Sequence, residues 1–505
     1  MASDIRLRPG MAITAPAVPS RMPDRHSDDG RLRPPSKRWL LGPALLVAAG
    51  VGAGSVLDPL KALLALPLVV IVACVWKWPA LAAYLVIGLT PLTAGINRGA
   101  ALPLVRPNEA LALLVGVALA TRGIVQLRTG HLPKLRLDPV EASIVLLAVC
   151  SSVVPLWWMT VRQEPITGDD LLYALVLWKY LGIYALMRMS VSTDRQIRRC
   201  LWISVGAACP VAVLAILQSL GLFGVPRILA TYYAPFGYAS AFAVRGSSTL
   251  GLPAATADLM IYNLAIVSGL WMRSRRHRAV LAPTAALLVL AALSAGEFSS
   301  AIGLVVAVVC IAVVTNSAQL LRIFLPAGLI ASQVLQPVFA ARFSGFQSVT
   351  GLPVSWIGRL QNLQSYFWPQ LFSDWNFLLG VRLSARIPVA SQATGYVWIE
   401  SGYTWLLWGG GIPLFASFIF FALATAKRGW EAAHRNSGAA SVAGIATFVA
   451  IIVTTVLMTF DPHLTYRGSA DAMFVLIALA APRRKPPDAA ATPITPDDLA
   501  VEVRT

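Results

Sequence analysis

Long apolar runs separated by short polar segments account for most of the chain. Fourteen such runs lie near 39–57, 60–76, 79–95, 109–126, 139–158, 171–189, 201–220, 254–272, 279–295, 299–315, 323–338, 402–425, 440–460 and 468–482. A helix needs about 20 consecutive apolar residues to cross the hydrocarbon core of a bilayer. Because four of the runs are at or below the short limit for a span, the pattern predicts an all-α, polytopic transmembrane bundle with 12–14 spans.

The polar segments predict five parts along the chain: a disordered basic cytoplasmic tail (1–38), transmembrane helices 1–11 (39–338), one large extracytoplasmic loop (339–401), transmembrane helices 12–14 (402–482) and a second disordered cytoplasmic tail (483–505). A loop of this length is uncommon unless it is functional or disordered. Its four tryptophans argue against disorder: Trp356, Trp368, Trp375 and Trp398. We therefore expect it to fold with short interfacial helices on the outer membrane face.

The composition agrees with a membrane protein and excludes a soluble one. Hydrophobic residues make up 57% and charged residues only 13% of the chain, whereas soluble domains carry about 25% charged residues. The net charge of +18 would suit nucleic acid, but the basic residues lie in short clusters between apolar runs and form no basic domain. Nucleic acid is therefore not an expected partner, and the lipid bilayer is.

The distribution of Lys and Arg predicts the orientation. Of the 41 such residues, 29 fall on one predicted side of the membrane and 11 on the other, with Lys179 inside a span. Cytoplasmic loops carry the excess of positive charge, so both termini are predicted to be cytoplasmic.

Among the arginines of the two large predicted outer loops, where this rule does not favour them, five are candidate ligand-binding residues: Arg245, Arg342, Arg359, Arg382 and Arg386. The planar guanidinium matches phosphate oxygens, so such a cluster could bind a lipid-linked phosphate or an anionic sugar. Attraction to lipid headgroups, or pairing with Asp374 and Glu400, explains the same pattern.

Several other charges interrupt apolar sequence. Lys179 lies within a predicted span, where a charge usually faces a partner or a polar cavity, and Asp258 is a candidate partner. Glu297 and His463 are candidate acid–base groups, with ordinary interfacial or loop residues as the alternative.

The three glycines at 409–411 would permit close helix approach or a broken helix. No HExxH, Walker or GxGxxG pattern is present, so neither a metal nor a cofactor is expected.

Three stretches together resemble the O-antigen ligase and polymerase family of bacterial envelope glycan enzymes. They are VRGSSTLGLPAATADLMIYN, with Arg245, then GRLQNLQSYFWPQLFSDWNFLLGVRL, with Arg359, and ESGYTWLLWGGGIP, with Glu400. The resemblance covers most of residues 40–480. Glu400 stands where the family has its characteristic histidine, and Glu297-Phe298 stands where the family often has Ser-Arg, which favours a divergent member acting on another surface polysaccharide.

This resemblance implies a membrane glycosyltransferase for cell-surface or exopolysaccharide biosynthesis in a bacterial plasma membrane. The donor would be a polyprenyl-pyrophosphate-linked glycan and the partner an acceptor glycan or lipid, with polysaccharide-export proteins as further candidate partners. Arg245, Arg359 and Glu400 are implied as catalytic residues, without a metal. Arg382, Arg386 and Lys179 are candidate substrate contacts.

Two other functions fit the same pattern. A carrier or flippase for a lipid-linked glycan or another solute would be expected to show repeats with broken helices in matching halves. A non-catalytic membrane scaffold would leave the outer arginines scattered over the surface.

Overall fold

The structure is a computed structural model that describes residues 59–98, 105–128, 138–233, 242, 244–274, 276–317, 326–343 (except 327, 329 and 332), 353–389, 395–435 and 437–482. It divides into two compact units, Met1–Val69 and Val70–Thr505. The predicted tails and the first predicted run, 39–57, lie outside the described residues, and the eleventh run, 323–338, is described only in part.

The described helices are α1 (Pro59–Lys77), α2 (Ala80–Thr93), α3 (Pro107–Arg128), α4 (Pro139–Cys150), α5 (Val153–Val161), α6 (Gly168–Ala174), α7 (Val176–Ser190), α8 (Asp194–Ser219), α9 (Val225–Tyr232), α10 (Pro253–Arg273), α11 (Arg278–Ser294), α12 (Phe298–Thr315), α13 (Gln336–Phe343), α14 (Val354–Asn362), α15 (Trp368–Phe372), α16 (Asn376–Leu379), α17 (Gly402–Arg435), α18 (Ala439–Leu457) and α19 (Ser469–Ala480). Two short strands, β1 (Arg386–Pro388) and β2 (Tyr396–Trp398), pair antiparallel.

Eight helical segments in the described part of the chain are long and apolar enough to cross a membrane: Pro107–Val125, Pro139–Val161, Gly168–Ser190, Asp194–Ser219, Pro253–Arg273, Phe298–Thr315, Gly402–Arg435 and Ala439–Leu457. Four shorter apolar helices accompany them. A chain with this architecture is a polytopic helical membrane protein, because helices satisfy every backbone hydrogen bond within lipid. The number of crossings remains a prediction.

Helix α10 forms the centre of the unit Val70–Thr505. Every residue from Ala254 to Leu270 is buried. The Tyr262 hydroxyl lies 2.7 Å from the Thr454 hydroxyl of α18, and Asn263 accepts a hydrogen bond of 2.8 Å from Ser204 of α8. A helix buried on all sides exposes no face to lipid, so the charge it carries, Asp258, must find its partner inside the protein.

Backbone contacts bring one set of helix termini together, which we call the site end. Gly95 donates to the Thr249 carbonyl oxygen over 2.9 Å, Gly246 to that of Ser294 over 2.8 Å, and Gly402 to that of Met458 over 2.7 Å. These bonds join the segments after α2, before α10, after α11, before α17 and after α18. Arg98, Arg245 and Arg359, which the charge pattern assigns to one membrane side, all lie at this end.

The opposite helix termini meet at the other end, called here the opposite end. There Arg188 lies 3.5 Å from Glu141 and donates to the Pro482 carbonyl oxygen, and Asp194 accepts from the Ala439 amide over 3.2 Å. The segments that the charge pattern groups together are thus grouped in space. Which end faces the cytoplasm remains a prediction.

The glycines at 409–411 are the site of both a close helix approach and a break in the helix. Gly411 adopts φ 62° and ψ −155° and interrupts α17, and a Cβ there would lie 2.3 Å from the Leu378 carbonyl oxygen. A Cβ at Gly410 would lie 2.6 Å from the Cys150 carbonyl oxygen. The start of α17 therefore packs closely against α4 and the end of α16, and the helix breaks at the same place.

The long loop holds α14, a π-helical turn at Leu363–Phe367, α15, α16 and the β1–β2 hairpin. Short helices were expected there, and the hairpin was not. Its strands pair Ile387 with Val397, and Ile399 donates to the Ala385 carbonyl oxygen over 3.0 Å. This pairing leads the chain directly to Glu400 at the start of α17.

Candidate active site

Arg359 joins two carboxylates from distant segments at the site end. Its Nη1 lies 2.7 Å from Asp461 Oδ2, and its Nε lies 3.8 Å from Glu400 Oε1. Asn362, one turn further along α14, donates to Glu400 Oε2 over 3.4 Å. We call Arg359, Glu400 and Asp461 the acid cluster. Its members come from α14, from the residues before α17 and from the segment after α18.

Arg245 joins the same region through a third carboxylate. Its Nη1 lies 3.9 Å from Glu297 Oε1, just before α12. Trp356 of α14 packs edge-on against Phe298, with ring centroids 6.2 Å apart, and lies 5.1 Å from the ring of Phe460. Since Trp356 bridges the neighbours of Glu297 and Asp461, α14 brings Arg359 close to both. The three residues that the resemblance implies as catalytic therefore converge at one end of the bundle.

Electrostatics in the acid cluster favour a charged arginine and a weakened acid. Burial alone would lower the pKa of Arg359, but the Asp461 and Glu400 carboxylates outweigh it and raise the pKa. Burial raises the pKa of Asp461 to about 6, with the charges of Glu297 and Glu400 adding to it against the attraction of Arg359 and His463. A carboxyl group of this kind can exchange a proton near neutral pH.

A buried histidine and aspartate lie beside the acid cluster. His463 Nδ1 is 2.8 Å from Asp258 Oδ2, and both side chains are 1% exposed. Burial opposes a charge on His463, yet the contact with Asp258 and the charge of Asp461 raise the pKa of the imidazole. Among the described residues, His463 Nε2 and Asp258 Oδ1 have no hydrogen-bond partner.

The expected pairing of Lys179 with Asp258 is wrong. Lys179 Nζ lies 3.2 Å from Asp471 Oδ1 in the first turn of α19, and 4.3 Å from the centroid of the Tyr180 ring. The Gly468 amide also donates to Asp471, over 2.7 Å. Which acid pairs with Lys179 depends on how far along the bundle each helix places its charged residues, and this position cannot be read from the linear sequence.

Arg382 and Arg386 each bind a carboxylate with two nitrogen atoms. Arg382 donates to both oxygens of Asp170 over 3.2 and 2.7 Å, and Arg386 donates to both oxygens of Asp169 over 2.8 Å. Ser384, between them, donates its amide to Asp170 and its hydroxyl to Asp169. Ion pairing of the loop arginines with Asp374 and Glu400 was the alternative to ligand binding expected from sequence. In the structure Arg382 and Arg386 do form ion pairs, but with acids at the start of α6. This arginine–aspartate clamp holds residues 382–386 on that helix.

The two aspartates of the clamp were missed from sequence. They follow Thr167, whose hydroxyl caps α6 through the Asp170 amide, and acids in a first helical turn normally indicate only the helix dipole. One sequence signal could have identified them. Asp169 and Asp170 are adjacent acids in a predicted outer segment, and the long loop predicted on the same side of the membrane has more arginines than acids. Arg342 has no described side chain.

A cleft of about 620 Å³ opens at the end of α8. Its lining includes Gln218, Arg227, Phe242, Pro337 and Val244, the residue before Arg245. In the described part of the chain, no group of three or more His, Cys, Asp or Glu side chains is arranged to hold a metal ion.

Comparisons with known protein families, with curated proteins and with solved structures find no significant match to this chain.

Proposed function

We propose that this chain is a membrane glycosyltransferase that polymerises or ligates a cell-surface polysaccharide from a polyprenyl-diphosphate-linked glycan on the outer face of a bacterial plasma membrane. The convergence of Arg359, Glu400 and Asp461 from three separate segments is the observation that carries the proposal. Ionisable side chains gathered among apolar helices are costly, and they usually serve a substrate or a proton. The resemblance of the stretches around Arg245, Arg359 and Glu400 supplies the substrate class.

The proposed reaction needs a base and a cation close together. An acceptor sugar hydroxyl attacks the anomeric carbon of the donor, a new C–O bond forms, and the bond from that carbon to the diphosphate oxygen breaks with its electron pair. The hydroxyl proton passes to the Asp461 carboxylate, whose pKa of about 6 suits a general base at neutral pH. Glu400, with a third of its side chain exposed, would orient the acceptor.

Arg359 would hold both carboxylates in position for the acceptor. Arg245, which follows Val244 of the cleft lining in the chain, would meet a substrate that enters along α8. Arg382 and Arg386 remain proposed sugar contacts, but through exposed edges only, because each fork already binds an aspartate.

The proposal is tested by deleting the gene, measuring the chain length and amount of surface polysaccharide, and complementing with variants. Asp461→Asn, Glu400→Gln and Arg359→Ala are expected to fail to restore the polymer. Glu431→Gln, a carboxylate change at the opposite end, is the matched control and is expected to restore it. Full complementation by all three site variants at normal protein levels would contradict the proposal.

Transport of a lipid-linked glycan is the second candidate, and the break at Gly411 favours it. Transporters often bind substrate where a helix is interrupted within the membrane. The two functions separate in reconstituted vesicles: a transferase releases polyprenyl diphosphate and lengthens the glycan, whereas a carrier moves an unchanged lipid-linked glycan across the bilayer.

A further inference from the structure

A second group of charges lies at the site end, and it is rich in cations. It contains four basic side chains and two acids, which we call the cation cluster: Arg98, Arg106, Lys179 and Arg467 with Glu109 and Asp471. The basic residues come from the end of α2, the start of α3, the middle of the Gly168–Ser190 span and the residue pair before α19. Only Lys179 was singled out from sequence.

The two acids are shared among more cations than they can neutralise. Glu109 Oε1 lies 3.2 Å from Arg106 Nη1 and 3.5 Å from Arg98 Nη2, so a single carboxylate oxygen faces two guanidinium groups. Asp471 faces Lys179 over 3.2 Å. Side-chain exposure is 16% for Arg106 and 33% for Arg98, so the group is partly buried but can be reached.

Arg467 adds a further positive charge to this group. Burial and repulsion from Arg106 and Arg98 lower the pKa of Arg467 to about 9, which leaves it charged at neutral pH. Tyr180, next to Lys179, donates to the Thr465 carbonyl oxygen over 3.0 Å and so holds the segment before Arg467 against α7. Even without Arg467, three cations of the cluster, Arg98, Arg106 and Lys179, face two acids, Glu109 and Asp471.

The acid cluster has the opposite balance. In it one cation, Arg359, faces two carboxylates, Asp461 and Glu400. An anionic group entering this end of the protein would be repelled by the acid cluster and attracted by the cation cluster. The segment Asp461–Arg467 belongs to both, which makes the two clusters neighbours.

We propose that the cation cluster binds the diphosphate of the lipid-linked donor, an assignment that rests on the proposed glycosyl transfer. A diphosphate carries at least two negative charges, and a group with more cations than acids attracts it. Guanidinium forks bind phosphate oxygens with paired hydrogen bonds, and Arg98 and Arg106 offer two forks side by side. The acid cluster is then left for the acceptor hydroxyl. This places the leaving group at residues other than Arg245 and Arg359, which the resemblance alone would select.

The site is tested by binding of inorganic pyrophosphate to the purified full chain in detergent, measured by calorimetry. Arg98→Gln and Arg106→Gln are expected to weaken binding about tenfold or more, the loss of a charge-assisted fork. Arg435→Gln, an exposed arginine at the opposite end, is the control and should bind as the wild type does. Equal binding by the wild type and the two site variants, or no binding by the wild type, would overturn the site.

A second arm identifies the source of the phosphate. Polyprenyl diphosphate added in micelles is expected to displace pyrophosphate from the wild type, whereas phosphatidylcholine is not. Failure of polyprenyl diphosphate to compete would overturn the assignment to a lipid-linked donor.

The two proposals fail in different ways. Pyrophosphate binding that depends on Arg98 and Arg106, in a protein that transfers no glycan, would remove the proposed function and leave an anion site. Glycan transfer that is unaffected by Arg98→Gln and Arg106→Gln would remove the site and leave the function.

Discussion

The guanidinium of Arg359 lies 2.7 Å from the carboxylate of Asp461, although Arg359 belongs to a helix of the long loop and Asp461 to the short connection between the apolar helices α18 and α19. The contact ties the loop to the bundle and places a cation beside a buried acid. Few buried carboxylates tolerate the loss of such a partner.

Removing Arg359 is therefore expected to destabilise the protein and, in the fraction that folds, to impair the proposed reaction. Because Arg359 positions the Asp461 and Glu400 carboxylates, Arg359→Ala should lower the rate of glycan transfer about a hundredfold. The measurement is the initial rate of transfer at saturating donor in detergent. Arg359→Lys retains the positive charge but not the planar guanidinium, so its initial rate should lie between those of the wild type and Arg359→Ala. A wild-type rate in a folded Arg359→Ala protein would contradict the assigned role.

The rate of transfer should depend on pH through Asp461. Only the ionised carboxylate accepts a proton, so the rate is expected to rise as the pH increases through about 6, the pKa of Asp461, and to fall below it. Glu297 is one of the charges that raise this pKa. Glu297→Gln should therefore move the acidic limb of the pH–rate profile to lower pH, whereas Glu431→Gln should leave it in place. A limb that does not move would show that another group controls the profile.

The buried pair of His463 and Asp258 should be important for stability. His463→Gln removes the imidazole that lies 2.8 Å from the buried Asp258 side chain, and leaving that group without its partner should cost about 1–3 kcal/mol of unfolding free energy. The double variant His463→Gln/Asp258→Asn changes both partners and should recover part of that loss. Unfolding in detergent measures all three proteins. Strictly additive effects would argue against a coupled pair.

The arginine–aspartate clamp should protect the backbone of the segment that it holds. Because the Ser384 amide donates to Asp170 over 3.0 Å, Asp170→Asn is expected to speed hydrogen exchange at this amide about 10- to 150-fold, which corresponds to roughly 1.5–3 kcal/mol for a hydrogen bond to a charged group. Asp374→Asn, a change in the same loop, is the matched control. Equal exchange rates in both variants would show that other contacts hold the segment.

The break in α17 offers a test that does not depend on function. Gly411→Ala places a side chain at positive φ and 2.3 Å from the Leu378 carbonyl oxygen, and should destabilise the protein by more than about 2 kcal/mol. At Gly409 the nearest atom to an added Cβ is a Leu414 methyl at 4.0 Å, so Gly409→Ala should leave the unfolding midpoint nearly unchanged. Similar midpoints for the two variants would contradict this geometry.

The positions of the helices could be predicted from sequence because lipid imposes one strong rule. A span must be continuously apolar and helical, so its limits are visible in the order of residues. The run predicted at 254–272 and the observed Pro253–Arg273 differ by one residue at each end. The hairpin Arg386–Pro388 with Tyr396–Trp398 was not predicted, because strands of three residues leave almost no periodic signal.

The partners of the charges could not be predicted in the same way. Glu400 and Arg359 were found through the stretches that resemble a family, whereas Asp461 and Asp471 were missed since each is a lone acid next to an apolar run. Asp258 was matched to Lys179 on charge alone, and the structure gives it His463. Pairing depends on how deep each side chain lies and how the helices are arranged, and neither quantity is local.

The connection between α18 and α19 carries Asp461 at its start and Arg467 near its end. Because this one short connection supplies a member to each charged cluster, displacing either residue would strain the other. Occupancy of one cluster would then change the affinity of the other, and by the reciprocity of linked equilibria the effect would be equal in both directions. Two substrates that meet at this end would in that case not bind independently, and a bound donor would alter the affinity for the acceptor as much as a bound acceptor alters the affinity for the donor.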